Sequence, residues 1–236
     1  VILFGVHPDC DYQYQDQEHG YFSVKTNQAH LPNLDGQYRV MVPGNFNYAN
    51  ALSAMIVASQ LKIAPKTIRQ GLLDTVVPGR MEMLTSANGI VACVDYAHNY
   101  LSLTASFAFL KHEYPQGRLI VVVGSVGDKA ESRRPGIAKA LMEYADIAIL
   151  TSDDTYGEDQ KKVIKEIHSY MNGTKPAEVV EIVDREAAVR EAFALAQPQD
   201  VIFLAAKGRE QYLRVATGNQ LYAGDYQLAQ ELMQNQ

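Results

Sequence analysis

Apolar positions along the chain follow two rhythms, and the change from one to the other falls near residue 79. Before it the apolar runs are short and β-like, at residues 1–6, 21–24 and 38–42, with turn-rich stretches such as His7-Pro8-Asp9 and Asn33-Leu34-Asp35-Gly36 between them. Pro43-Gly44 stops the last run. Over residues 45–61, Phe46, Ala49, Leu52, Met55, Ala58 and Leu61 recur at helical spacing, and Pro65 with Ile68, Leu72 and Leu73 opens a second, shorter helix. Val77-Pro78-Gly79-Arg80 ends that helix with two breakers, and a domain boundary is expected there.

Beyond the boundary strand and helix alternate. Strands are expected at residues 90–95, 119–123, 147–150, 178–183 and 201–205. Helices are expected at 102–113, up to about 144, 158–171 and 185–196. Leu119-Ile120-Val121-Val122-Val123 is continuously apolar and mostly β-branched, so it reads as a strand buried on both faces. Such alternation predicts an α/β fold with a mostly parallel sheet and helices on both faces. Gly218-Asn219 between Leu213/Val215 and Leu221/Tyr222 suggests a terminal hairpin, followed by a last helix over 226–233.

Four of these strands end in polar clusters. The first runs into Asp95, His98 and Asn99, the second into a loop from Gly124 to Lys129, the third into Thr151-Ser152-Asp153-Asp154, and the fifth into Lys207-Gly208-Arg209-Glu210. Parallel strands bring their carboxyl ends to one edge, where ligands bind in open α/β sheets. Each cluster also has a plainer reading: Asp95, Asn99, Asp153 or Asp154 as a helix cap, Lys129 as a solvated loop, Glu210 as a surface acid. The Gly124-Ser125-Val126-Gly127 spacing does not give the dinucleotide-binding fingerprint, and there is no Walker A run to cradle a triphosphate.

Composition narrows the function without choosing it. An apolar content of 47% suits a packed globular chain, and a net charge of -6 gives no basic face for bulk nucleic-acid binding. Cys10 and Cys93 lie far apart and read as reduced thiols of a cytoplasmic protein, with no metal cluster implied. No apolar run has membrane length and no leader precedes the first strand, so no membrane partner is expected. The chain opens at Val1 without an initiator Met, which suggests the C-terminal part of a longer protein.

Six short motifs occur in an order that resembles the Mur ligases. They are Gly44-Asn45-Phe46-Asn47-Tyr48-Ala49-Asn50-Ala51, Pro78-Gly79-Arg80-Met81-Glu82, Asp95-Tyr96-Ala97-His98-Asn99, Ser132-Arg133-Arg134-Pro135, Thr151-Ser152-Asp153-Asp154 and Ala206-Lys207-Gly208-Arg209-Glu210. The resemblance is to the UDP-N-acetylmuramoyl-tripeptide synthetases in particular, and it runs from about Val42 to the C-terminus. It implies that residues 1–79 are the tail of a central ATPase domain, without its P-loop, magnesium ligands or carbamylated lysine. Residues 80–236 would be a C-terminal Rossmann-like ligase domain that binds the incoming amino acid. The implied cofactors are ATP and Mg, both requiring the part that is missing here. The implied substrates are UDP-MurNAc-dipeptide and a diamino acid.

By the same resemblance Asn47 and Asn50 face the nucleotide, Arg80 reaches the phosphates and Asp95 holds the ribose. Lys129 and His98 are the catalytic candidates. Arg134 would bind the substrate α-carboxylate, with Asp153, Asp154, Tyr156, Ala206 and Glu210 completing the amino-acid pocket. Diaminopimelate-adding members show Asp-Asn-Pro-Arg where this chain has Asp153-Asp154-Thr155-Tyr156. Loss of that Arg removes a bidentate carboxylate clamp and adds an acid, which favours lysine, then ornithine. An unpartnered buried carboxylate costs several kcal/mol, so discrimination on the order of a thousandfold is expected. The role of Arg209 is open. Two other readings compete: a non-catalytic Mur-like binding module, and a Mur-like ligase for another substrate such as folylpolyglutamate.

Overall fold

Tyr12-Gln13-Tyr14-Gln15-Asp16 alternates aromatic and polar side chains, the period of a half-buried strand, and in the computed structural model it is one. The structure describes every residue except Glu18, Thr174, Asn235 and Gln236. The chain divides into two compact units, Val1–Val77 and Pro78–Gln236. The first contains β1 (Phe4–Gly5), β2 (Tyr12–Asp16), β3 (Tyr21–Thr26), β4 (Gly36–Arg39), α1 (Asn47–Gln60) and α2 (Pro65–Asp74). Its strands form one sheet in sequence order, β1 parallel to β2 and the rest antiparallel. Tyr12, Phe22, Tyr38, Tyr48, Leu52 and Met55 fill its core, with Phe22 stacked on Tyr48 at 5.1 Å between ring centroids. The strand β2 is missed by a search for apolar runs because Gln separates its tyrosines. Pro65 stands at the start of α2, where its missing N–H costs no helical bond.

The second unit contains β5 (Glu82–Thr85), β6 (Val91–Val94), α3 (Tyr100–Glu113), β7 (Leu119–Val123), α4 (Arg134–Tyr144), β8 (Ile147–Leu150), α5 (Gln160–Ser169), β9 (Glu178–Glu181), α6 (Arg185–Leu195), β10 (Val201–Leu204), β11 (Tyr212–Val215), β12 (Gly218–Leu221) and α7 (Asp225–Met233). Six strands make one sheet in the order β5-β6-β10-β7-β8-β9, parallel except for β5 at the edge. The antiparallel edge strand, Glu-Met-Leu-Thr, was not expected; its alternation is too short to register. Every residue of β6, β7, β8 and β10 is buried, as continuously apolar strands require. Helices α6 and α7 cover one face through Val189, Phe193, Leu228 and Met233. Helix α3 covers the other, Phe107 meeting Phe203 edge-on at 5.1 Å.

The four fully buried strands are adjacent in the sheet, and they are the four whose tips carry the polar clusters. The terminal hairpin pairs Val215 with Gly218, so its turn is Ala216-Thr217 rather than Gly218-Asn219. Gly218, at φ +122°, instead opens β12. Among the described residues no helix is long and apolar enough to cross a membrane.

Because its sheet and both helical layers are internal, the unit Pro78–Gln236 expressed alone should unfold in one cooperative thermal transition with native-like circular dichroism. A fragment lacking that transition would place essential core contacts outside it.

Candidate functional site

The edge is built by a buried guanidinium. Arg185, the first residue of α6, has no exposed side-chain surface and donates to Ser152 O (3.0 Å), Ala205 O (2.5 Å) and the carboxylate of Asp225 (2.9 and 2.6 Å). It therefore ties the end of β8, the end of β10 and the start of α7 together. Tyr222 adds a hydroxyl donated to Asp225 at 3.2 Å, and burial pushes its phenol pKa up. Close approach does the rest: a Cβ on Gly124 would lie 2.5 Å from Thr151 O, and one on Gly127 would strike Thr155 O. The glycines after β7 thus let one loop lie against the next, which explains them without a phosphate.

These tips enclose a cavity of about 530 Å³, lined among others by Tyr96, His98, Lys129, Arg133, Asp153, Asp154, Tyr156, Ala206, Lys207, Glu210 and Arg214. Lys207 holds its centre. Its side chain is 1% exposed and its Nζ lies 2.5 Å from Glu210, 2.7 Å from Asp154 and 4.0 Å from Asp153. Burial works against its charge, but the hydrogen bonds to Asp154 and Glu210 outweigh burial and leave its pKa above that of an ordinary lysine. Burial raises the Asp153 carboxyl, and the nearby cations Arg185 and Lys207 offset this only in part. Tyr96 donates to Glu210 at 3.4 Å.

At the opposite wall the Tyr156 hydroxyl accepts from Lys129 Nζ (2.9 Å) and from Arg214 Nη1 (3.1 Å), and those two hydrogen bonds lower its pKa. His98 Nδ1 lies 2.7 Å from Tyr96 O. A carbonyl can only accept, so Nδ1 carries the proton and Nε2 is the ring's acceptor.

Lys129, His98, Asp153, Asp154, Tyr156, Ala206 and Glu210 are brought to one cavity. Arg134 is not among its lining residues. Its side chain is 1% exposed and held by Glu158 (2.6 Å) and Glu166, while its neighbour Arg133 lines the cavity with no acidic partner among the described residues. Nor is Asp95 a lining residue: its oxygens accept from Met81 N (2.7 Å) and Ala97 N (2.8 Å), and burial raises its pKa. Arg80 is exposed, with its guanidinium 4.2 Å over the Tyr96 ring. Asn47 and Asn50 belong to the unit Val1–Val77, where Asn47 donates to Pro43 O and accepts from Asn50 at the start of α1.

Of the plainer readings, Asn99 does cap α3, accepting from Ser102 N at 3.1 Å. Asp159, not Asp153 or Asp154, caps α5. Arg209 pairs with Glu82 and lies 3.7 Å over Tyr226, outside the cavity lining.

The cavity is not lined by acids alone. Three carboxylates line it, and so do four cations, Lys129, Arg133, Lys207 and Arg214. The acids of the loop therefore have cationic partners. Lys207 stood in view at the β10 tip. Arg214 had no local signal, because the loop it meets lies some sixty residues away.

A family model described as "Mur ligase, glutamate ligase domain" matches residues 79–208. The UDP-N-acetylmuramoyl-L-alanyl-D-glutamate--L-lysine ligase of Enterococcus faecalis is 41% identical over 98% of this chain and 46% of its own length. The UDP-N-acetylmuramyl-tripeptide synthetase of Ligilactobacillus salivarius is 40% identical over 96% and 45%. The chain thus spans about half the length of the curated relatives it matches. Among solved structures, a UDP-N-acetylmuramoyl-L-alanyl-D-glutamate--2,6-diaminopimelate ligase superposes with a TM-score of 0.62 at 23% identity, covering 98% of this chain and 47% of that one. At that identity the likeness is one of fold.

The raised carboxyl of Asp153 has a sign that can be checked. Its ionisation is less favourable folded than unfolded, so it lowers stability as pH rises from the ordinary aspartate value through its folded pKa. Asp153→Asn keeps an oxygen for Asp154 N and lacks that ionisation. Its melting temperature relative to the parent should climb over that window and level off above it. A difference that is flat in pH would contradict the direction.

Proposed function

The chain belongs to the Mur ligase family, and from that premise we propose that it is the amino-acid-binding half of an ATP-dependent, cytoplasmic ligase. The ligase joins L-lysine to UDP-N-acetylmuramoyl-L-alanyl-D-glutamate during peptidoglycan synthesis. The observation that carries this reading is the 41% identity, over nearly the whole chain, to a ligase whose name specifies L-lysine. The cavity suits a zwitterionic amino acid with a second ammonium. Arg133 offers an uncommitted guanidinium for the α-carboxylate. Asp153 and Glu210 lie on the wall built around Lys207 and would receive an ammonium there.

Amide formation requires the attacking amine to shed a proton and a negative oxygen to be stabilised as charge develops. The acceptor nitrogen of His98 suits the first task and the ammonium of Lys129, steadied by Tyr156, suits the second. The ammonium preference rests on where the cations are spent. Lys207 engages Asp154 and Glu210, and Arg214 engages Asp154 and Tyr156.

The nucleotide sites are less complete. ATP, when bound, supplies the phosphoryl group that activates the carboxylate. Of the four candidates to hold it, Arg80 is the one that presents an uncommitted charge. Asp95 already accepts from two backbone amides. Among the described residues no group of three or more His, Cys, Asp or Glu could hold a metal ion.

The test is amino-acid-dependent phosphate release by the full-length ligase with UDP-MurNAc-dipeptide and ATP. Lysine should give the highest kcat/KM, ornithine the next, and diaminopimelate should fall at least about tenfold below lysine, a margin of roughly 1.4 kcal/mol. A preference for diaminopimelate would overturn the assignment.

A further inference from the structure

The wall of the cavity formed by Asp154 and Tyr156 is held in part from outside its own loop. Tyr156 has φ +49°, a left-handed conformation that residues with side chains rarely adopt. Nothing local favours it. The groups that fix it come from β11: Tyr156 N donates to Arg214 O at 2.9 Å, and Tyr156 forms an isolated parallel bridge with Val215. Arg214 N in turn donates to Asp154 Oδ1 at 3.0 Å. The Arg214 side chain repeats the link, its Nη1 donating to the Tyr156 hydroxyl at 3.1 Å and its Nε lying 3.8 Å from Asp154 Oδ2.

The hairpin has little else to do. Every residue of β12 is exposed, and β11 and β12 form a two-stranded sheet of their own. Arg214 also meets Tyr212 of its own strand, its guanidinium 5.7 Å from that ring, but its carboxylate partner is Asp154, and about half its side chain remains open to solvent.

We propose that Arg214 is a specificity-determining positioning residue: from the β11–β12 hairpin it holds Asp154 and Tyr156 in place and so sets which amino-acid side chain the cavity accepts. This rests on reading the cavity as the amino-acid pocket. Two consequences of removing the guanidinium can be separated by sign. If Arg214 only diluted the acidity of the cavity, its loss would strengthen binding of an ammonium-bearing substrate. If it positions Asp154 and Tyr156, its loss frees the Tyr156 hydroxyl and one oxygen of Asp154 while the backbone links of residue 214 and the Lys207 contact remain, binding of lysine weakens, and the distinction between lysine and the shorter ornithine fades, although the cavity has become more acidic.

The experiment compares the parent full-length ligase with Arg214→Ala, Arg214→Lys, Asp154→Asn and the double variant Asp154→Asn/Arg214→Ala, measuring KM and kcat for lysine and ornithine and KM for ATP. For Arg214→Ala the lysine KM should rise about tenfold, as expected for loss of a charge-assisted hydrogen bond and an ion pair, with the ATP KM within about twofold. Its lysine-over-ornithine preference should shrink. Arg214→Lys, which keeps the charge but not the fork, should restore part of both, and its result stands if the alanine variant fails to fold. The double variant, compared with Arg214→Ala and with Asp154→Asn alone, should fall short of the sum of the two single losses, because the Arg214–Asp154 link is common to both, while Asp154→Asn also weakens the Lys207 contact.

A lysine KM that stays level or falls in a variant with the parent's melting temperature overturns the proposal while leaving the assignment of the cavity intact. So does a lysine KM and an ATP KM that rise together. A parent enzyme that ligates neither lysine nor ornithine overturns the assignment of the cavity and the role of Arg214 with it.

Discussion

A guanidinium with no exposure to water decides where the functional edge lies. Moving a charge out of water is costly, and Arg185 is tolerated because Asp225, Ser152 O and Ala205 O satisfy it inside. The two carbonyls are the last backbone groups before the cavity begins, since Asp153 and Ala206 come directly after them. A single side chain therefore sets the separation of the β8 and β10 tips, and α7 is fastened to the same point through Asp225. The environment that Arg185 creates is also the one Asp153 experiences: complete burial beside a cation that is already paired. That is why its carboxyl remains hard to ionise despite two positive neighbours.

Much of this was legible because the sheet interior has a strong signal. Runs such as Leu119–Val123 and Ile147–Leu150 are too apolar to be anything but buried strands, and their ends mark where polar residues must gather. The tips of β6, β7, β8 and β10 were found for that reason. Signals fail where the determining contact is remote or where neighbours diverge. Arg133 and Arg134 are adjacent, of one type, and both within a motif. Yet Arg134 opens α4 facing Glu158 and Glu166, while Arg133 closes the preceding short turn and reaches the cavity. Which of two neighbouring arginines turns inward depends on acids more than twenty residues downstream, and no local pattern records that. Asp95 differs in another way. It stands at the tip as expected, but the backbone N–H groups of Met81 and Ala97 donate to its oxygens, and an amide donor leaves no trace in residue type.

The charge of the pocket shows the same limit in energetic form. Read from residues 153–156 alone, the site has two acids and no cation, and electrostatics then predicts strong exclusion of any further carboxylate. Three side chains from beyond the end of β10 change the sum: Lys207 and Arg214 meet the acids, and Glu210 adds another that Lys207 also serves. An acid at position 154 is tolerable in a nearly buried setting only with such partners, because an unpaired carboxylate there would cost several kcal/mol. The acid and its cations therefore belong to one design. If this cavity is the amino-acid pocket, its selectivity belongs not to the loop that carries Tyr156 alone but also to how far Lys207 and the hairpin after β10 commit Asp154 before a substrate arrives.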